Sequence, residues 1–200
     1  FLENYVGRRK SFWVGLYPYL QELFPENLGD VDLDAFIKAI NASKCSLIRT
    51  EADELTYPIH ILIRYEIEKG LCDGNISCDK LNETWNQKYK EYLGVDVTND
   101  RDGILQDVHW SDASFGYFPT YALGSAFGAQ FLATIEKELD LDSLLGNGKF
   151  DELVAYLREH IQFDGALHNY EYILNRATKE DFNPRYYVDY LKNKYTKLYE

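Results

Sequence analysis

Tyr121-Ala122-Leu123-Gly124-Ser125-Ala126-Phe127-Gly128-Ala129-Gln130-Phe131-Leu132-Ala133-Thr134-Ile135-Glu136-Lys137-Glu138-Leu139 places small residues at 122, 124, 126, 128 and 129 among large apolar ones. The stretch predicts a long, well-buried helix, because small side chains let a second backbone come close. The same 3.6-residue period recurs outward in both directions. Upstream, Val6, Phe12, Trp13, Leu16, Leu20 and Leu23 give a helical pattern over Leu2 to Phe24 that Pro25 stops. Asp32 caps a helix carrying Leu33, Phe36, Ile37 and Ile40. Ile59, Leu62, Ile63 and Ile67 share one face of another, with Pro58 in its first turn or kinking it and Gly70 as its stop. Residues 79–93 carry Leu81, Trp85, Tyr89 and Leu93 and end at Gly94. Downstream, Phe150 to Ile161 and Pro184 to Tyr199 complete the set, the latter capped by Asn183 with Pro184 at its first position. Cys45 to Thr50 is short, apolar and compatible with extended chain. Repeats, low-complexity tracts and linkers are missing, so residues 1–200 read as a single all-α unit.

Composition narrows the function classes. Acidic residues outnumber basic ones, 33 to 21, for a net charge of −12, which disfavours nucleic acid and anionic membrane surfaces as partners. No apolar run approaches a membrane span. Cys45, Cys72 and Cys78 cannot all pair within one chain and read as reduced cytosolic thiols. The Asn-x-Ser/Thr triplets at Asn41, Asn75 and Asn82 matter only in a secreted protein. Phe1 opens the chain and Met is absent throughout, which suggests a fragment or processed product.

Chemistry concentrates between Gly103 and Gly124. There Gln106, Asp107, His109, Trp110, Tyr117 and Tyr121 lie among glycines and Pro119, on backbone that interrupts helix. His109 is suited to donate to a developing oxyanion, and Tyr117 or Tyr121 to assist, although a buried turn in which His109 and Trp110 satisfy each other fits equally well. Arg49 precedes Glu51, Asp53 and Glu54, and its planar fork suits a carboxylate: a neighbouring Asp53 or Glu54, or that of a ligand. His60, His160 and His168 sit in ordinary helical contexts and receive no role. His168 and Glu171 do not make a zinc site, and phosphate loops, Gly-x-Ser-x-Gly elbows and His-Glu-x-x-His are all missing.

Ile48-Arg49-Thr50-Glu51-Ala52-Asp53 and Gly103-Ile104-Leu105-Gln106-Asp107-Val108-His109-Trp110 resemble the Ile-Arg-x-x-Ala-Asp and Gly-x-x-Gln-Asp-x-His-Trp motifs of the carboxypeptidase Taq family. Ser114 to Gly124 and Asn183 to Tyr187 are similar to that family too. The resemblance implies a helical metallopeptidase-like domain, a zinc-dependent carboxypeptidase acting on peptides in the cytoplasm, and a homodimer. In the family zinc sits on His-Glu-x-x-His, whose Glu is the general base, and on the Glu of a later His-Glu-Ser-(Gly)-Gln motif. Phe1-Leu2-Glu3-Asn4 resembles the segment just after that motif. This chain would then be the C-terminal part of a zinc-peptidase cleft, with no metal ligand of its own. Carried over on that basis, Arg49 binds the peptide's terminal carboxylate and Asp53 orients Arg49. His109 donates to the tetrahedral oxyanion with Tyr117 or Tyr121 assisting, and Gln106 and Asp107 position His109 or line the groove. An oligopeptidase on a similar scaffold and a non-catalytic helical peptide- or partner-binding module are the rival readings.

Overall fold

The computed structural model describes residues 1–200. Its α-helices are α1 (Lys10–Val14), α2 (Tyr17–Leu23), α3 (Pro25–Leu28), α4 (Leu33–Ile40), α5 (Tyr57–Cys72), α6 (Leu81–Leu93), α7 (Pro119–Glu138), α8 (Leu141–Gly146), α9 (Phe150–Leu157), α10 (Tyr170–Thr178) and α11 (Arg185–Tyr199). Short 3-10 and π segments join them, and the chain forms no strand, so the fold is all-α as the periodicity predicts. No helix is long and apolar enough to cross a membrane. Contacts group the chain into two compact units, residues 42–123 in one and residues 1–41 with 124–200 in the other.

In the unit of residues 42–123, α5 packs on α6. Ile63, Ile67, Trp85, Tyr89 and Leu93 form its core, with Leu47, Val97, Ile104 and Trp110 packed around them. Burial of each of Ile63, Ile67 and Leu93 contributes about 1.5–3 kcal/mol. Pro58 sits in the first turn of α5, where its missing N–H costs nothing. Gly94 closes α6 at φ +70°, a left-handed conformation that glycine adopts without strain.

Two expectations for α5 fail. Gly70 does not end the helix, which continues to Cys72. Its bare Cα instead admits the Ile76 side chain, which a Cβ would strike. Leu62 does not share the inner face and is 43% exposed, whereas His60, Arg64 and Glu68 lie buried beside Ile63 and Ile67. The inner face of α5 therefore carries a polar ladder at every fourth residue.

In the other unit, the single helix expected from Leu2 to Phe24 is three pieces: a π turn at Leu2–Gly7, then α1 and α2. Pro18 explains the break before α2. It donates no hydrogen bond, and its ring would strike the carbonyl of Val14, the last residue of α1. Asp32 caps α4 by accepting from the Ala35 N–H. The small-residue stripe of α7 allows one close contact, since Gly128 lies against the ring of Tyr5. The Tyr5 hydroxyl donates to the Ser125 carbonyl at 2.6 Å.

Candidate functional site

All seven candidate residues belong to the unit of residues 42–123. Arg49 opens a 3-10 turn, Arg49–Glu51, after extended Ile48, which directs its side chain inward. Gln106 ends a second 3-10 turn, Ile104–Gln106, and Asp107 follows in extended conformation. These two turns meet at α5.

The Asp107 carboxylate holds two guanidiniums at once. Its Oδ1 accepts from Arg49 Nη2 at 2.6 Å and Nε at 3.1 Å, and its Oδ2 accepts from Arg64 Nε at 2.7 Å. Gln106 completes the frame. Its Oε1 accepts from the Arg49 backbone N–H and from Arg64 Nη2, both at 2.9 Å, while its Nε2 donates to the carbonyls of Leu47 and Asp102. Every donor and acceptor of that amide group is therefore used. Burial raises the Asp107 pKa, but the hydrogen bonds and charges of Arg49 and Arg64 outweigh it and hold the carboxyl below its ordinary range.

Arg64 is fully buried, with its guanidinium 4.6 Å from the Trp85 ring centre. Its Nη1 donates to the His60 carbonyl at 2.9 Å and to the Tyr89 hydroxyl at 3.2 Å. Tyr89 in turn meets His60 Nδ1 at 3.0 Å. An arginine N–H only donates, so the Tyr89 oxygen accepts it, while the direction of its bond with Nδ1 follows the imidazole tautomer. That leaves His60 Nε2 buried and without a hydrogen-bond partner. Burial, then the positive charges of Arg64 and Arg49, push His60 down to about 4, so it is neutral at physiological pH.

Arg49 Nη1 donates to the Tyr57 hydroxyl at 3.0 Å, and the guanidinium lies over the Tyr121 ring, 5.0 Å from its centre. The Tyr121 hydroxyl is 2.9 Å from His109 Nε2. Tyr121 thus joins Arg49 to His109, the two residues singled out for substrate contact. Burial, with Tyr117 adjacent, holds the Tyr121 phenol above its ordinary range, so it stays neutral and its hydroxyl can either donate to Nε2 or accept from it. The His109 ring stacks on Phe118 at 4.3 Å between centres, and its Nδ1 is buried without a hydrogen-bond partner. Tyr117 is half exposed at the rim, 5.8 Å from the His109 ring.

Glu68 fixes the loop that carries His109. It is buried, accepting from Trp110 Nε1 at 2.8 Å and from the Gly116 N–H at 3.1 Å. Gly116 adopts φ +78°, a conformation that strains residues with a Cβ.

Three sequence expectations are corrected here. Asp53 does not orient Arg49. Its carboxylate is taken up by the Ser43 and Thr56 hydroxyls and the backbone N–H groups of Lys44, Leu55 and Thr56, so it organises the loop entering α5. Gln106 and Asp107 bind Arg49 and Arg64 rather than His109. His109 and Trp110 do not satisfy each other, because one turns to Tyr121 and the other to Glu68. Sequence reasoning missed His60, Arg64 and Glu68. The available signal was polar residues at core positions of an amphipathic helix, in register with Ile63 and Ile67.

No group of three or more His, Cys, Asp or Glu side chains that could hold a metal ion is present. The residues present do not fit a metal site.

The geometry can be set beside known proteins. The model of the carboxypeptidase Taq (M32) metallopeptidase family matches residues 1–195. The chain is 48% identical over 200 residues to carboxypeptidase 1 of Bacillus subtilis, spanning 100% of this chain and 40% of that protein. Thermostable carboxypeptidase 1 of Thermus thermophilus is 42% identical over 198 residues, spanning 98% and 39%. A crystal structure of an M32 carboxypeptidase from Deinococcus radiodurans superposes with a TM-score of 0.93 at 35% identity, over 98% of this chain and 40% of that one. The chain spans about 40% of the length of these curated relatives. With matching motifs, matching helical architecture and a family model covering nearly every residue, this chain belongs to the carboxypeptidase Taq (M32) family of metallopeptidases.

Proposed function

We propose that this chain supplies the substrate-binding wall of a metallocarboxypeptidase that releases C-terminal amino acids from peptides by means of zinc-activated water. The observation that carries the reading is the Arg49–Tyr121–His109 arrangement, in which one tyrosine holds a guanidinium against its ring and an imidazole at its hydroxyl. A cation at a set distance from a polarising donor is what an exopeptidase needs, since it measures one residue from the chain end to the scissile carbonyl. Arg49 binds the terminal carboxylate. His109 donates to the oxyanion, with Tyr121 and the rim residue Tyr117 assisting. Gln106 and Asp107 hold Arg49 in place, and Asp53 shapes the loop from which Arg49 projects.

The metal would be held by residues outside this chain, and no step assigned to these side chains passes through it. A homodimer in the cytoplasm, without nucleic-acid or membrane partners, completes the reading. The net charge of −12 and three free, exposed cysteines support that setting.

The test compares one peptide with a free and with an amidated C-terminus, offered to the full-length metal-loaded enzyme containing this chain. Strong preference for the free carboxylate is expected. Equal cleavage of both would overturn the reading in favour of an oligopeptidase, and binding without cleavage would favour a non-catalytic peptide-binding module.

A further inference from the structure

Arg49 poses a difficulty for any role in anion binding, because its guanidinium already lies against a carboxylate. An arginine fully neutralised by an aspartate attracts a second carboxylate weakly. The resolution lies on α5. Asp107 makes its short bonds to Arg49 through Oδ1 at 2.6 Å and to Arg64 through Oδ2 at 2.7 Å, with Arg49 Nε also reaching Oδ2 at 3.4 Å. Two guanidiniums against one carboxylate leave one positive charge uncompensated. His60, one turn away from Arg64, is held neutral and adds none.

From this geometry we infer that Arg64 is a positioning residue for substrate affinity: acting through Asp107, it keeps the Arg49 site cationic and thereby sets the affinity for a peptide's terminal carboxylate. The inference rests on the reading of Arg49 as the carboxylate-binding residue. Arg64 itself touches no substrate, since its N–H groups go to Asp107, Gln106, the His60 carbonyl and Tyr89 and it is fully buried. Its effect is electrostatic and geometric. It takes the short hydrogen bond to Oδ2, leaving Arg49 Nε only a long one of 3.4 Å to that oxygen, and its charge offsets that of Asp107. In a site shielded from water, a buried net charge is costly to leave alone, so an arriving anion relieves part of that cost. On the next turn of α5 the Glu68 carboxylate accepts from Trp110 and the Gly116 N–H and pairs with neither guanidinium, so the ion cluster itself holds two positive groups and one negative.

The test measures KM and kcat on a free-carboxylate peptide with the full-length, metal-loaded enzyme. Arg64→Gln removes the surplus charge and is expected to raise KM about tenfold or more while kcat stays within about threefold. The double variant Arg64→Gln with Asp107→Asn restores a single positive charge at Arg49, so its KM should return toward that of the native enzyme. A merely structural role predicts the opposite order, with the double variant worse than the single. Should Arg64→Gln not fold, Arg64→Lys keeps the charge and is expected to hold KM within about threefold of the native value. An unchanged KM in Arg64→Gln, a double variant worse than the single, or a tenfold rise in Arg64→Lys each overturns the inference. A native enzyme that ignores the free carboxylate overturns the underlying function instead, before any Arg64 variant is compared.

Discussion

The Tyr121 hydroxyl lies 2.9 Å from His109 Nε2, and on the other side of that ring Nδ1 is buried with no hydrogen-bond partner. His109 is therefore hydrogen-bonded through one ring nitrogen only, to a side chain that also supports Arg49. In Tyr121→Phe the ring under Arg49 stays but the imidazole loses its hydrogen bond and keeps its stacking on Phe118. Turnover should fall by roughly tenfold, with a stability loss of about 0.5–1.5 kcal/mol for one hydrogen bond. His109→Ala should lower turnover about a hundredfold or more, as for a lost oxyanion donor. Steady-state kinetics on the full-length enzyme check both. A Tyr121→Phe enzyme with native turnover would remove this hydrogen bond from the mechanism.

Arg49→Ala takes away the proposed carboxylate ligand while Asp107 keeps Arg64 as its partner. Charge-assisted hydrogen bonds contribute about 1.5–3 kcal/mol. KM for free-carboxylate peptides should rise about ten- to a hundredfold, and metal content, read by elemental analysis, should not change. Arg49→Lys should recover little of the loss, since an ammonium lacks the planar fork.

Much of this fold is written in local pattern, because caps and breakers act within one turn. Asp32 at the start of α4, Pro58 in the first turn of α5 and left-handed Gly94 after α6 all sit where short-range stereochemistry places them. The site is legible only in part. Its motifs identify Arg49 and His109, yet the partner of Arg49 lies 58 residues away at Asp107, whereas Asp53, four residues along, faces its own loop. Sequence distance is a poor guide to ion pairing once the chain turns through a 3-10 segment. The polar ladder of α5 was obscured for another reason. A helix periodicity scores Ile63 and Ile67 as core and by polarity assigns Arg64 and Glu68 to solvent, so the two stand out only when their positions, next to Ile63 and Ile67 on the same face, are weighed above their polarity.

His60 makes acid sensitivity measurable. Its folded value, pushed down to about 4 by burial and by Arg64 and Arg49, lies below the ordinary 6.5 that it regains on unfolding. Between those values the unfolded chain binds the proton and the folded chain does not, so stability rises with pH through this window and is lost as pH falls from 6.5 toward 4. The full effect is about 3 kcal/mol. His60→Asn keeps an acceptor near Nδ1 for Tyr89 but does not titrate there. Its urea midpoint should change less than that of the native protein between pH 7 and pH 4, whatever its absolute stability. Parallel curves for the two proteins would show that His60 is not the titrating group.

Gly124 and Gly128 lie one turn apart on α7, in helical backbone where alanine is intrinsically better by about 0.5–1 kcal/mol. Their surroundings differ. A Cβ at Gly124 meets nothing within 4 Å, whereas one at Gly128 meets Tyr5 Cε2 at 2.6 Å. The Tyr5 ring has little freedom to retreat, since its hydroxyl is bonded to the Ser125 carbonyl and it forms a T-shaped pair with Tyr190 at 4.8 Å between centres. Gly124→Ala should therefore stabilise by about 0.5–1 kcal/mol. Gly128→Ala should destabilise by about 1–3 kcal/mol through overpacking. The pair of variants, compared by chemical denaturation, separates helix propensity from packing, because propensity alone would move both in the same direction. A stabilised Gly128→Ala protein would mean that Tyr5 yields, and that the small side chain at 128 is not required for α7 to approach the Leu2–Gly7 turn.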